Sequence, residues 1–399
     1  MDRPDFPSNG LTVVSLFSGC GGSSLGYRLA GYRELLAVEW DKGAVTAFRR
    51  NFPGVPAYEG DVHSLADADA LRLAGVAPGQ LDMLDGSPPC QGFSTAGKRR
   101  FGDSRNRLFE DYVRLLGAFR PRAFVMENVS GLRKGKMRIV FAEMTLALKA
   151  AGYRVSCREL NAWWYGVPQD RRRLIWIGVR EDLGIAPSHP SPTVRRPTTV
   201  AEALCLPSGS SYDSWRFLSG DGARDVDLPA NTLRRSGPRL LISSCPPAFA
   251  GIADGMDRYG ALWPLVPWGG NASDVLQGKG FNSCVKPHPD KPAPTLPKTQ
   301  CGKGFATIMH PTEWRSLNIE EARILQGFPN WFAFPPDFAL AWSLIGNSVA
   351  PPMAEAVGRH VASLLAPPAR DDGANQPGAG HGMLADVGFP DSQREPSHV

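Results

Sequence analysis

Short apolar runs alternate with amphipathic stretches over residues 11–180 of the chain. The apolar runs predict buried strands at 11–17, 34–40, 81–87, 122–129 and 173–179, with a shorter strand-like segment at 58–61. Helical spacing of apolar residues predicts helices between them, at 23–31, 42–52, 107–119 and 139–152. Strands that alternate with helices are typical of an α/β fold, in which a mostly parallel sheet carries helices on both faces. Ligands of such folds bind at the carboxyl ends of the strands.

The pattern changes near residue 185, beyond which the chain is rich in proline, glycine and serine and lacks a clear helical period. Helical spacing returns at 315–328, where Asn318 is a plausible N-cap, and again at 350–365. We therefore predict a first domain over 1–185, a smaller irregular domain with a hinge over 186–340, and a segment that returns to the first domain over 341–365. The proline- and glycine-rich residues 366–399 are expected to be a disordered tail.

Composition excludes several classes of protein. With 42% hydrophobic residues in 399 positions, the chain can build a core and is not wholly disordered. It has no uninterrupted apolar run of about 18 residues, so we expect no membrane span. The N-terminus lacks the features of a secretion signal. Seven scattered cysteines without a CxxC pair favour neither a disulfide framework nor a zinc site, so we expect a cytoplasmic protein with no metal.

Charge is unevenly distributed along the chain. The net charge is +5, but residues 366–399 hold five acidic and two basic side chains, so residues 1–365 carry +8. Such an excess is compatible with a polyanionic partner.

Three polar features follow the first three predicted strands. A glycine-rich turn, FSGCGGSSLG, covers 17–26, Glu39 and Trp40 end the second strand, and Asp61 ends the third. The turn matches neither GxGxxG nor a P-loop, which disfavours dinucleotides and nucleoside triphosphates. An acid at the end of the second strand commonly binds ribose hydroxyls, and a tryptophan can stack on a purine. Each feature alone could be structural, but the ordered set predicts an adenosine-containing cofactor.

The next strand leads into GSPPCQGFS, in which Cys90 follows two prolines. A useful thiolate needs nearby positive charge, which the basic loop 98–107 supplies, although a lone cysteine can equally be a small buried residue. Glu127 ends the following strand, so we expect it beside Cys90, where it could donate a proton. Gln169, Arg171, Arg172 and Arg173 cluster before the last strand, as a ligand-binding group or as a solvated basic patch.

Six segments in this order resemble motifs of the DNA (cytosine-5) methyltransferase family, of the prokaryotic type. They are FSGCGGSSLG, GSPPCQGFS, ENV at 127–129, QDRRR at 169–173, HPTEWRSLNIEEARILQGFP at 310–329 and GNSVAPPMAEAVG at 346–358. The agreement covers about 11–180 and 311–358. The resemblance implies a Rossmann-like S-adenosylmethionine methyltransferase sheet with a smaller target-recognition domain. One departure is Asn318-Ile319-Glu320-Glu321, where the family usually has Thr-x-Arg-Glu.

The resemblance also implies residue roles. Cys90 would attack C6 of a cytosine flipped out of duplex DNA, Glu127 would bind its N3 and amino group, and Arg173 would contact its O2. Arg171 would support the acid and the loop. Methyl transfer from S-adenosylmethionine to C5 would follow, with no metal.

The same likeness assigns the binding residues. The residues that would hold S-adenosylmethionine are Phe17, Gly19, Gly22, Glu39, Trp40, Asp61, Asn347 and Val349. Those that would bind DNA are Lys98, Arg99, Arg100, Arg105 and Gln169, and Lys286 is among the candidates for reading bases in the second domain.

The partners follow from this assignment. We expect double-stranded DNA as substrate, a monomeric enzyme, no membrane partner, and a cognate restriction endonuclease, if present, that acts independently. Two alternatives remain open, a transfer-RNA cytosine methyltransferase of the same family and a catalytically silent DNA-binding relative. The first would carry a Cys-Phe-Thr segment near the late helix, and the second would lack a catalytic residue; neither feature occurs in this chain.

Overall fold

The computed structural model describes residues 5–89, 107–206, 262–275, 284–298 and 308–366. Within these ranges no helix has both the length and the apolar character needed to cross a membrane.

Strands and helices alternate through the first half of the chain. Its strands are β1 (Thr12–Leu16), β2 (Arg33–Glu39), β3 (Ala57–Glu59), β4 (Met83–Gly86), β5 (Ala123–Val129), β6 (Tyr153–Asn161), β7 (Gln169–Asp170) and β8 (Arg172–Arg180). Its helices are α1 (Gly22–Leu29), α2 (Lys42–Asn51), α3 (Asp67–Ala74), α4 (Arg107–Phe119) and α5 (Met137–Ala150). The second half contributes α6 (Val200–Ala203), β9 (Ala293–Pro294), α7 (Ile319–Gln326), α8 (Phe338–Asn347) and α9 (Pro351–Leu365).

Seven strands form one sheet in the order β3-β2-β1-β4-β5-β8-β6, which confirms the predicted α/β fold. The first five strands pair in parallel, whereas β8 runs antiparallel to both β5 and β6. The prediction of a mostly parallel sheet is therefore correct, but it missed β6 and the reversed direction of β8. Strand β6 has mixed polar and apolar residues, so its hydrophobic pattern was weak.

Helices cover both faces of the sheet. Phe124 and Met126 point from β5 into a core shared with α3, α4 and α5, while Ala123 and Val125 point into a core shared with α1 and α9. The predicted helix at 350–365 is present as α9 and packs against α1. Their approach is close enough that a Cβ at Gly26 would overlap Ala354, so the glycine is required there.

Helix α7 begins as the sequence predicts. The Asn318 side chain accepts from the Glu321 backbone N–H and the Glu321 carboxylate accepts from the Asn318 N–H, at 2.8 Å each, which completes a capping box. Arg315 adds two hydrogen bonds to the same carboxylate, at 2.7 and 2.8 Å. The departure from the family's Thr-x-Arg-Glu pattern therefore leaves the start of this helix fully capped.

Candidate active site

The candidate active site depends on the antiparallel direction of strand β8. The parallel strands β1, β2, β4 and β5 end at one edge of the sheet, and β8 begins at that edge because it runs the other way. Val129, the last residue of β5, pairs with Arg173, the second residue of β8. Basic residues at the start of one strand thus meet the carboxyl ends of its neighbours.

Glu39 is held in place by the backbone around the end of β2. Its Oε2 accepts from the Gly19 N–H, and its Oε1 accepts from the Trp40 and Asp41 N–H groups, all at 2.9 Å. A carboxylate has about four acceptor positions, so these three bonds fix its orientation and leave room for a further donor. The glycine turn and the end of β2 are joined through this side chain.

The space in front of Glu39 fits an adenosine group. Gly19 adopts a left-handed φ of +56°, and no atom would lie within 4 Å of a Cβ built on it. Phe17 adopts the same conformation with φ 57°, which is uncommon for an aromatic residue and frequent at ligand sites. Trp40 is 75% exposed, so a large apolar ring faces an open surface at the strand end. An acceptor, an open glycine turn and an exposed ring are the groups that a nucleoside requires.

Asp61 lies beyond β3, where it caps a short 3₁₀ helix at Val62–Ser64. One carboxylate oxygen accepts from the His63 N–H at 3.0 Å. The other lies 3.0 Å from Nη2 of Arg107, the first residue of α4, in an ion pair that is more than two-fifths exposed on both sides. The acid is thus accessible, as a cofactor contact would need.

The segment between α8 and α9 closes over the glycine turn. A Cβ at Gly22 would overlap the carbonyl oxygen of Val349 and the Ser348 side chain, so the absence of a side chain at Gly22 makes room for this segment. The structure thereby gives a packing reason for the glycine in addition to the predicted cofactor contact. Asn347 is exposed and Val349 is half-buried beside it.

Glu127 and Arg173 form an ion pair at the end of β5. Arg173 Nε lies 2.8 Å from Glu127 Oε1, and the two side chains are only 13% and 12% exposed. Arg173 Nη1 also donates to the Arg172 carbonyl oxygen at 2.8 Å, which fixes the guanidinium plane. Arg173 is therefore the direct ion-pair partner of the acid, and the nearby charge of Arg171 also interacts with Glu127.

Asn128 links this acid to the predicted nucleophile loop, a role that the sequence did not indicate. Its Nδ2 donates to the Pro88 carbonyl oxygen at 2.9 Å, and it is 5% exposed. Pro88 comes two residues before Cys90. Cys90 itself lies outside the described residues, as do Lys98, Arg99, Arg100 and Arg105.

Arg171 is 1% exposed and lies in the interior. Its guanidinium donates to the carbonyl oxygens of Gly346 at 2.9 Å, Ser348 at 2.8 Å and Leu296 at 3.3 Å. Burial, and then the neighbouring Arg173, lower its pKa below the usual range. The predicted catalytic residue is therefore a positioning residue that fastens the segment between α8 and α9.

Gln169 also differs from its predicted DNA contact, because it is fully buried. Its Nε2 donates to the Leu325 carbonyl oxygen at 3.1 Å and to Gln326 Oε1 at 2.8 Å, and its Oε1 accepts from the Leu296 N–H at 3.1 Å. The side-chain amide of Gln169 therefore links β7 to α7 and to the residues that follow β9.

Lys286, a predicted base-reading candidate, is likewise buried, with 3% exposure. Its Nζ donates to the carbonyl oxygens of Trp263 and Val266 at 3.0 Å each and lies 4.1 Å from the centre of the Trp268 ring. Burial lowers the pKa of this amine to about 8. Lys286 thus organises a small core of the second region and does not face DNA.

Two buried acids lie beneath the glycine turn. Asp85 in β4 accepts from the Tyr27 hydroxyl at 2.8 Å, and Glu34 in β2 accepts from the Ser24 hydroxyl at 2.7 Å. Burial raises the pKa of each carboxyl to about 7. Both groups therefore keep a proton in the folded protein at pH values where an unfolded chain has lost it.

The raised pKa values of these two acids predict how the free energy of unfolding depends on pH. It should fall as the pH rises from about 4, the ordinary pKa of such groups, to about 7. In that window the folded state binds more protons than the unfolded state, so each rise in pH favours unfolding. We expect Asp85→Asn, which keeps an acceptor for Tyr27, to reduce the loss of the urea midpoint between pH 5 and pH 7.5. The exposed Asp69→Asn is the control. Equal pH dependence in Asp85→Asn and the parent would contradict the prediction.

Within the described ranges, no group of three histidine, cysteine, aspartate or glutamate side chains is arranged to hold a metal ion.

Comparison with known proteins agrees with this geometry. The profile of the C-5 cytosine-specific DNA methylase family matches residues 11–209 and 248–363. The Type II methyltransferase M.XorII of Xanthomonas oryzae pv. oryzae is 34% identical over 374 residues, which span 88% of this chain and 84% of the relative. The Type II methyltransferase M.AgeI of Thalassovita gelatinovora is 38% identical over an alignment of 424 positions, gaps included, which covers 87% of this chain and 98% of the relative.

A solved structure extends the likeness to the fold. A protein described as a DNA modification methyltransferase encoded within an E. coli prophage superposes with a TM-score of 0.62 at 27% sequence identity, covering 89% of this chain and 99% of that one. The chain therefore belongs to the C-5 cytosine-specific DNA methylase family and is a DNA cytosine methyltransferase.

Proposed function

We propose that the protein transfers a methyl group from S-adenosylmethionine to C5 of a cytosine flipped out of a specific duplex DNA sequence, through a covalent bond between Cys90 and C6. The observation that carries this proposal is the largely enclosed Glu127–Arg173 ion pair, which Asn128 joins to the loop that leads to Cys90. An acid and a guanidinium at a strand end are groups able to polarise a pyrimidine ring, and the sequence supplies a thiol two residues after Pro88.

The chain's own residues divide the chemistry among them. The Cys90 thiolate adds to C6, and the electron pair of the C5–C6 bond moves toward C5 and the ring. Glu127 hydrogen-bonds N3 and the amino group as negative charge develops, and Arg173 donates to O2. After C5 is methylated, its proton passes to water acting as a base, and the electron pair of the C5–H bond forms the C5–C6 double bond as the C6–S bond breaks. The thiolate leaves, and the aromatic ring of 5-methylcytosine is restored.

The cofactor supplies an electrophilic methyl group when bound. We assign its adenine to the space between Phe17 and Trp40, with Asp61 on the amino group and Glu39 on the ribose hydroxyls. Three N–H groups already orient the Glu39 carboxylate, which supports this assignment because little ordering is left for binding.

The remaining pocket residues act through the backbone. Gly19 would give the cofactor close access to the turn. Asn347 and Val349, in the segment fastened by Arg171, would close the pocket next to Gly22.

We assign cofactor binding and catalysis to 1–185, target recognition and the hinge to 186–340, and completion of the pocket to 341–365. The relatives are Type II methyltransferases by name. We extend that role to this chain, as a monomeric cytoplasmic enzyme whose restriction endonuclease partner, if it exists, acts as a separate protein.

A methylation assay tests the proposal. The protein is incubated with tritiated S-adenosylmethionine and mixed-sequence duplex DNA, and modified bases are located by bisulfite sequencing. We expect label at C5 of cytosines in one sequence context. A parallel reaction contains transfer RNA, and label in that RNA but not in DNA would overturn the assignment of DNA as substrate.

A further inference from the structure

A group of basic side chains outside the proposed mechanism follows β5. Arg133, Lys134, Lys136 and Arg138 are four cations within six residues, and all four are exposed. We call them the 133–138 surface. They span a 3₁₀ helix at Ser130–Arg133 and the start of α5.

These cations are not neutralised by acids of the described part of the chain. Other exposed arginines of the protein have carboxylate partners, such as Arg49 with Glu59, Arg196 with Glu202 and Arg359 with Glu355. The ion pairs found among the described residues include none of the four cations, and no acidic residue lies in the first turn of α5. The surface therefore holds uncompensated positive charge, which favours an anionic partner.

The surface lies at the same edge of the sheet as the site. Strand β5 carries Glu127 near its end at Val129, and the 133–138 surface begins four residues later. Val129, which lies between the acid and the cations in the chain, is 47% exposed to solvent.

The segment that carries the 133–138 surface is also packed against the core. Leu132 is 1% exposed in the core, and the Arg133 guanidinium lies 5.9 Å from the centre of the Phe141 ring. A fixed array of cations loses less freedom on binding than a loose one.

We propose that the 133–138 surface binds backbone phosphates of the duplex that flank the target cytosine. The inference rests on the proposed function, because a cytosine held at Glu127 brings its own duplex to this edge. DNA carries one negative charge per about 1.7 Å of helix axis, so several phosphates face such a surface together. Phosphate contacts of this kind fix the position of the protein on the duplex and carry no sequence information.

The test is equilibrium binding of a fluorescent mixed-sequence duplex to the full chain, measured by anisotropy over a series of salt concentrations. No target sequence is needed, since phosphate binding is independent of sequence. For the triple variant Lys134→Ala, Lys136→Ala, Arg138→Ala we expect weaker binding at low salt and a smaller slope of log K against log salt, by about 0.9 for each phosphate that the protein no longer neutralises. If all three side chains bind a phosphate, the parent loses roughly 40-fold more affinity than the variant between 50 and 200 mM salt.

Two control variants isolate the effect of the surface. Lys149→Ala removes one positive charge from the last turn of the same helix, about 20 Å away by the helical rise, and should bind like the parent. The charge-retaining variant Lys134→Arg, Lys136→Arg, Arg138→Lys should keep the parent slope. Unchanged thermal unfolding shows that each variant folds.

The outcomes separate this inference from the proposed function. A parental slope in the triple variant, or an equal decrease in Lys149→Ala, would overturn the phosphate contact even if the parent methylates DNA. A parent that binds DNA through this surface but labels no cytosine would instead overturn the proposed function. Stronger dependence on the surface for structured RNA than for duplex DNA would also overturn the inference.

Discussion

Replacing Cys90 by alanine is expected to lower the rate of DNA methylation by more than about 10³-fold, because no other group can form the bond to C6. Without that bond C5 remains part of an aromatic ring and is too weak a nucleophile to accept a methyl group. The described residues lead up to this thiol through Pro88, whose carbonyl oxygen accepts from Asn128. Glu127 and Arg173 should therefore stay in place when the sulfur is removed.

Single-turnover assays with tritiated S-adenosylmethionine measure this loss. Calorimetric binding of S-adenosylmethionine should be unchanged, since no proposed cofactor-binding residue is altered. Cys205→Ala is the matched control, because Cys205 is an exposed free cysteine elsewhere in the chain. A Cys90→Ala protein that methylates at the parental rate would exclude covalent catalysis by this residue.

The same intermediate can be trapped with DNA containing 5-fluorocytosine. After methylation, C5 carries fluorine in place of the proton that must leave, so elimination of the thiolate is blocked. We expect a denaturation-resistant protein–DNA adduct with the parent and with Cys205→Ala. The Cys90→Ala protein should form none.

Replacing Arg171 by alanine is expected to reduce the free energy of unfolding by about 3–5 kcal/mol, the cost of breaking a buried charged network. The carbonyl oxygens of Leu296 and Gly346 would lose the donor that Arg171 supplies, and that of Ser348 would keep only Gln326 Nε2. The variant would also leave a cavity where a fully buried side chain stood.

Urea unfolding of the full chain measures this effect. Arg172→Ala is the control, since its side chain is 54% exposed and its ion pairs with Glu159 and Asp170 are surface pairs worth about 1 kcal/mol or less. Equal midpoints for the two variants would contradict the anchoring role of Arg171. Both variants remove one positive charge, but only Arg171→Ala removes a buried side chain. The difference between their urea midpoints therefore measures the effect of burial.

Much of the fold could be predicted from the sequence, because its strands are short apolar runs and its helices have clear periodicity. The direction of strand β8 could not be predicted from the sequence. An apolar strand such as 173–179 is compatible with either direction, and the reversal depends on β6, whose mixed polarity hid it. That reversal brings Arg173 to the carboxyl edge of the sheet, where a parallel strand would have carried it to the opposite edge.

The residues at the ends of the strands were easier to predict than the hydrogen bonds of the buried side chains. The position of Glu39 and Trp40 at the end of β2 could be predicted from the sequence, and polar residues at the ends of parallel strands meet at one edge. Gln169 was expected as a DNA contact and Arg171 as a support of the acid and the loop, but the partners of both side chains could not be named. Their burial depends on partners more than 120 residues away in the chain, such as Leu296, which a local pattern does not reveal.

The hydrogen bonds of Arg171 bear on the order in which parts of the protein fold. Its acceptors Gly346 and Ser348 follow it by 175 and 177 residues, so the guanidinium has no complete set of partners while those residues are still being synthesised. Interactions of such long sequence separation form late, after the local strands and helices. We therefore expect the proposed pocket for the methyl donor to be among the last parts of the molecule to close, and an incomplete chain to lack the carbonyl partners of the Arg171 guanidinium.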